Sequence, residues 1–218
     1  MIVTIHQPNF APWTGFFDKM RQADVFVLLD TVPFSKGSYG NRVQIQGGTW
    51  LTVPVLTKGR SGQLTCDVET NETRPWRSDH LKTIQSRYAR APHLADVLSL
   101  LEATYEAQQT RLADLCCDLL QRTVDYLGWS TPLVRASTLA ARGSSGQLLA
   151  DIVAELGGDT YLSGPSGRTY LDESLFTGRG IGVSYHSFTP PPYDQGGRPF
   201  EPRLSILDQI AWCGPDPV

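Results

Sequence analysis

Histidine is scarce in this chain, with four in 218 residues, and no two of them stand in a His-x-His or His-Glu-x-x-His arrangement. Cys66, Cys116, Cys117 and Cys213 fall in no ligand spacing either, so no metal site is expected. Cys116 and Cys117 are adjacent in an apolar helical stretch, where neighbours point in different directions. Reduced, mostly buried thiols are the expectation. There is no run of five or six basic residues, and the net charge of −3 argues against nucleic acid as a partner. No apolar stretch approaches the ~20 residues of a membrane span. No basic n-region and signal-type apolar core precede the first strand, which points to the cytoplasm. A Gly-x-Ser-x-Gly elbow and the Gly-Lys-Ser/Thr ending of a P-loop are both missing. What remains is a globular composition, 40% hydrophobic and 19% charged, in a chain long enough for one good core with elaborations.

The order of elements is legible from periodicity. "MIVTI" is short and β-rich. Pro12–Ala23 carries Trp13, Phe16, Phe17 and Met20 at helical spacing. "VFVLL", Val25–Leu29, is a continuous apolar run, the pattern of a parallel strand buried on both faces. "NRVQIQ" and "GGTWLTVPV" flank Gly47-Gly48 as a hairpin, and Leu64–Glu69 reads as a further strand. Residues 76–128 read as largely helical, with Ser78 as an N-cap and Gly128 as a stop. "PLVRAS", "TYLSG" and "GIGVSYHSF" read as strands, "SSGQLLADIVAELGG" and "LSILDQIAW" as helices. "TPPPYDQGGRP", Thr189–Pro199, is a long irregular loop of a kind that is often functional. This alternation predicts a single three-layer α/β domain over 1–218. Its sheet is mostly parallel and Rossmann-like or nucleotidyltransferase-like, with a β-hairpin insertion and a central helical segment.

In an open parallel sheet, ligands bind outside the carboxyl ends of the strands. Three strands here end in conspicuous polar groups. The first ends in His6-Gln7-Pro8-Asn9, the second in Asp30, and the "TYL" strand in Ser163-Gly164-Pro165-Ser166-Gly167-Arg168. Gln7 is held in extended geometry by Pro8. Asn9 suits a helix cap equally well, and Asp30 an Asx turn. "SGPSGR" offers backbone N–H groups and a guanidinium to an anion, or is simply a turn. Lys36, Asn41 and Arg42 follow Asp30 closely, and Lys36 and Arg42 offer phosphate or carboxylate contacts. His80 shares a helix face with Ile84 and Tyr88, as a ligand or as part of a half-buried face.

"HQPNFAPWTGFFDKMRQADVFVLLDTVPFSKGSYGNR", "WLTVPV", "YLSGPSGRTYLD" and "PRLSILD" together resemble the WbqC-like family, in register from about residue 2 to residue 215. The resemblance implies a tailoring role in bacterial surface polysaccharide or natural-product pathways, where members are sometimes described as glycine transferases. It carries over His6, Gln7, Asn9, Asp30, Lys36, Asn41, Arg42, His80, Ser163, Ser166 and Arg168. Pro33 departs from the pattern, in which a glutamine is expected. The opening is also similar to that of nucleotidyltransferase-like folds, including the pantothenate synthetases. Their His-x-x-His signature is replaced here by Trp13-Thr14-Gly15-Phe16, so this likeness speaks to fold.

Three functions follow. The first is amide-forming acyl or aminoacyl transfer to a sugar or small-molecule amine. His6 would be the general base, because its unperturbed pKa suits neutral pH. Gln7, Asn9 or the "SGPSG" backbone would serve the oxyanion, with Lys36, Arg42 and Arg168 on a phosphate or carboxylate. The second is ATP- and Mg²⁺-dependent adenylation or nucleotidyl transfer, with Asp30 helping to hold the metal. The third is a non-catalytic partner of a biosynthetic enzyme. A small-molecule or nucleotide-sugar substrate is expected in the first two.

Overall fold

A computed structural model describes residues 1–216. In chain order the elements are β1 (Ile2–His6), α1 (Thr14–Arg21), β2 (Val25–Leu28), β3 (Arg42–Ile45), β4 (Thr49–Thr52), α2 (Trp76–Arg87), α3 (Leu94–Glu106) and α4 (Leu112–Tyr126). They continue with β5 (Leu133–Arg135), α5 (Ser145–Glu155), β6 (Thr160–Ser163), α6 (Ser174–Thr177), β7 (Gly182–Tyr185) and α7 (Ile206–Cys213). These residues gather into two compact units. The first comprises Met1–Gln7, Gly15–Val32 and Thr131–Thr189, and the second Pro8–Thr14, Pro33–Ser130 and the chain from Pro190 onward.

The first unit is a five-stranded, wholly parallel sheet in the order β5-β2-β1-β6-β7. Strand alternation sorts its side chains into two layers. Val3, Ile5, Val27 and Tyr161 join Leu148, Ile152 and Val153 of α5 and Phe176 of α6 in one apolar cluster. On the opposite face Phe26 meets Phe16 of α1, ring centroids 4.9 Å apart. Burial on both faces explains why β2 reads as an unbroken apolar run. The sheet flanked by helices is the α/β architecture expected.

The second unit holds the antiparallel hairpin β3–β4, paired from Arg42↔Thr52 to Ile45↔Thr49. Gly47 and Gly48 at its tip take φ of +72° and +68°, which only glycine adopts cheaply. Helix α3 packs against α2, α4 and α7; Val97 and Leu101 of α3, Leu115 and Leu119 of α4 and Ile210 of α7 are all buried.

Two expectations are corrected. Leu64–Glu69 is no strand. Thr65–Asp67 forms a 3-10 turn, and Leu64 and Glu69 make single bridges to Pro33 and Arg111. The apolar alternation was there, but only isolated loop residues lie alongside to pair with it. Ser78 is not a cap, since α2 already begins at Trp76 behind Pro75. Ser205, by contrast, caps α7 by accepting from Leu207 N–H. The Pro/Gly-rich loop is irregular, as predicted, and is anchored by Gln195, whose Nε2 donates to Asp208 and to the Glu201 carbonyl.

Candidate functional site

The strand order of the first unit reverses between β1 and β6. Such a switch point opens a crevice at the carboxyl ends. The β1/β2 ladder runs to His6↔Leu28, and the β6/β7 ladder to Ser163↔Tyr185. The ladder between β1 and β6 stops at Thr4↔Leu162. Past that point the two central strands part. The carbonyl of Ile5 accepts instead from the ammonium of Lys19, at 3.1 Å.

Lys19 is 3% exposed, beside the ring of Phe26. Burial lowers its pKa from 10.5 to about 7. His6 packs edge-on against Phe16 at 4.8 Å, and its Nδ1 lies 2.9 Å from the Gln7 carbonyl. Nδ1 must therefore carry the hydrogen, which leaves the lone pair on Nε2. Burial first, then the charge of Lys19, push the pKa of His6 from 6.5 to about 3. The expectation of an ordinary histidine pKa is thus corrected. The ring is neutral at pH 7 and presents an acceptor.

Asp30, at the end of β2, is fully buried and fully engaged. It accepts from Arg135 Nε and from Ser137 N–H and Oγ–H, each at 2.8 Å. These bonds splice β2 to the end of β5 and leave Asp30 poorly disposed to hold a metal. Among the described residues, no group of three or more His, Cys, Asp or Glu is placed to do so.

Beyond β6, Pro165–Thr169 is a 3-10 turn in which Gly167 N–H donates to the Gly164 carbonyl. That amide is taken, which narrows the anion cradle expected of "SGPSGR". Gly167 is required here because a Cβ would stand 2.1 Å from the Ser163 hydroxyl. Ser163 is buried and Ser166 exposed. The exposed guanidinium of Arg168 lies over the ring of Tyr185 at 4.3 Å.

Two groups escaped the sequence reading. Lys19 stands three residues after Phe16, on the apolar face of its own helix, and that misplaced charge was the available signal. His186 follows β7 as His6 ends β1. Its Nε2 lies 2.6 Å from Asp18 Oδ2, and its N–H donates to the Ser163 carbonyl. The partners are 168 positions apart, with no local pattern to join them.

In the second unit, His80 has both nitrogens occupied: Tyr105 hydroxyl at 2.9 Å and Thr52 carbonyl at 3.1 Å. Burial pushes its pKa down to about 4. His80 is buried with both ring tips satisfied within the chain. Asn41 is 5% exposed and donates to the Val53 carbonyl, while its Oδ1 is buried without a partner. Arg42 stacks on Trp50 at 4.6 Å, and its Nε is likewise buried and unpartnered. Lys36 is exposed and Asn9 half-buried.

A five-stranded parallel sheet flanked by helices, with a separate antiparallel hairpin, defines an α/β protein. The chain belongs to the WbqC-like protein family, which it matches over residues 7–218. It is 34% identical over 213 residues to the uncharacterized protein Rv1507c of Mycobacterium tuberculosis (strain ATCC 25618 / H37Rv), covering 95% of this chain and 92% of that one. No solved structure matches. Among the described residues, no helix is long and apolar enough to cross a membrane.

Proposed function

We propose that the chain is a tailoring enzyme that transfers an acyl or aminoacyl group to an amine of a sugar or small molecule, working in the cytoplasm. The observation that carries this reading is the early parting of β1 and β6, with neutral His6 on one side of the opening. An attacking amine needs a free lone pair on nitrogen. The Nε2 acceptor of His6 can take an amine N–H in a hydrogen bond and aim that lone pair at the acyl carbon. The new N–C bond forms as the bond to the leaving group breaks, and the proton lost by nitrogen departs with that group. With a pKa near 3 the ring orients the amine better than it removes a proton. Buried Lys19 acts behind it as a positioning residue, holding the Ile5 carbonyl and disfavouring imidazolium. Gln7 and Gly164 offer donors to the oxyanion, and Arg168 a counter-charge to a donor's phosphate or carboxylate. In the second unit taken by itself, the orphaned polar atoms of Asn41 and Arg42 are candidate ligand contacts.

A nucleotide-using reading has one observation in its favour, the reversal of strand order, which in doubly wound folds marks nucleotide sites. Thermal shift with glycine, coenzyme-A thioesters, nucleotide sugars and ATP with Mg²⁺ separates the two. Acyl transfer predicts a raised midpoint with an acyl donor, lost in His6→Ala. A shift with ATP alone would replace it with the second reading.

A further inference from the structure

The second unit contains a cavity of about 210 Å³ whose lining includes Gln46, Arg87, Arg90, Gly196, Arg198 and Trp212. It holds three guanidiniums and no carboxylate, in a chain whose net charge is −3. Several other arginines pair with acids: Arg60 with Glu69, Arg77 with Glu72, Arg122 with Asp118, Arg179 with Asp151. Another cavity of the same unit sets Arg77 beside Glu102 and Glu106. None of Arg87, Arg90 and Arg198 has an ion pair among the described residues. Two acids of the same unit accept from backbone amides instead. Glu201 accepts from Gly47 N–H at 3.3 Å, and Asp194 from Gly197 N–H at 2.7 Å.

The arginines converge. A Cβ placed on Gly47 would have Arg87 Nη1 at 3.3 Å and Arg198 Nη1 at 3.9 Å, so both guanidiniums lie within 4 Å of one point. The segments that carry them are tied to one buried carboxylate, Asp208 of α7. Tyr88, next to Arg87, donates to Asp208 at 2.8 Å and accepts from Gln46 N–H at 3.2 Å. Tyr193 and Gln195, on the loop bearing Gly196 and Arg198, donate to the same residue at 2.5 and 3.1 Å. Gln46 Nε2 closes the ring on the Gln195 carbonyl at 2.7 Å. On the wall, the indole N–H of Trp212 is shut off from solvent and has no acceptor.

Like charges held together on fixed segments are unfavourable until an anion joins them, and guanidinium forks match phosphate oxygens two at a time. We propose that this cavity is a binding site for a phosphate-bearing ligand, with a diphosphate bridging Arg87 and Arg198 and with Arg90 as the third contact. The site stands on the second unit alone and does not depend on the reading of the first unit's sheet.

The test is isothermal titration of the full chain with inorganic phosphate, pyrophosphate and a nucleoside diphosphate at low salt. Pyrophosphate is expected to bind saturably, one per chain, and more tightly than phosphate. Arg87→Ala and Arg198→Ala should each weaken it about tenfold or more. Arg74→Ala, which removes an exposed charge of the same unit, should not. A nucleoside diphosphate tighter than pyrophosphate would make the ligand a nucleotide, and equal affinity would make it the diphosphate group alone. In unsubstituted protein, the indole N–H resonance of Trp212, assigned with Trp212→Phe, should move on titration. Absence of saturable pyrophosphate binding overturns the proposal. So does equal weakening by Arg74→Ala, or an unmoved Trp212 resonance.

Discussion

Lys19 and His6 give the first unit a pH signature. The folded chain holds the Lys19 pKa at about 7 against 10.5 when exposed. Between those values the unfolded chain binds more protons, so stability rises with pH across that window, by at most about 1.4 kcal/mol per unit. Below pH 7 the cost of burying the charge is fully present. His6 repeats the pattern lower down, with stability rising from about pH 3 to 6.5. In urea melts, Lys19→Met should flatten the upper rise and only reduce the lower one, which burial of His6 mainly sets. An unchanged upper slope would mean that Lys19 is not the titrating group. Asp30 makes a different prediction. Asp30→Ala removes the acceptor of the Arg135 Nε and Ser137 bonds and should cost about 3 kcal/mol. A loss within 0.5 kcal/mol, roughly the range of surface substitutions, would show the splice to be dispensable.

Among the elements, two adjacent glycines after α5 do different work. Gly157 takes φ +73° with open space around it, so alanine there should cost about 1 kcal/mol for the left-handed backbone. Gly158 lets the helix end approach the sheet. A Cβ would stand 2.7 Å from Val3 Cγ2 and 2.8 Å from Val153 Cγ1, and Gly158→Ala should cost about 1–3 kcal/mol. Thermal denaturation should order the two variants accordingly. Both glycines read as a helix stop in the sequence, although only the structure tells their reasons apart. Legibility followed the same line throughout. Strands β1, β2, β6 and β7 and the hairpin were plain, because apolar β-rich runs and turn chemistry are local. Leu64–Glu69 was misread because its pattern is that of a strand, while strandhood depends on what lies alongside. At the site, His6 and Ser163 were visible as strand endings. The full commitment of His80 and Asp30, and the pairing of His186 with Asp18, depend on residues 25 to 168 positions away.

For the molecule as a whole, the units are braided in sequence. The chain passes from one to the other at 7/8, 14/15, 32/33, 130/131 and 189/190. A chain ending at Ser130 keeps β1 and β2 but lacks β5, β6 and β7, the neighbours on both sides of that pair. Hydrogen exchange on such a truncation should find the amides of Val3 and Ile5 unprotected, whereas the full chain shields them. Protection equal to the full chain would mean that two strands suffice. The braid also bears on synthesis. As the ribosome releases the chain, β1 and β2 emerge first and stay apolar and half-paired while more than a hundred further residues are made. Only with β6 does the central strand gain its second neighbour, so this sheet forms late, and an exposed edge accompanies the nascent chain until then.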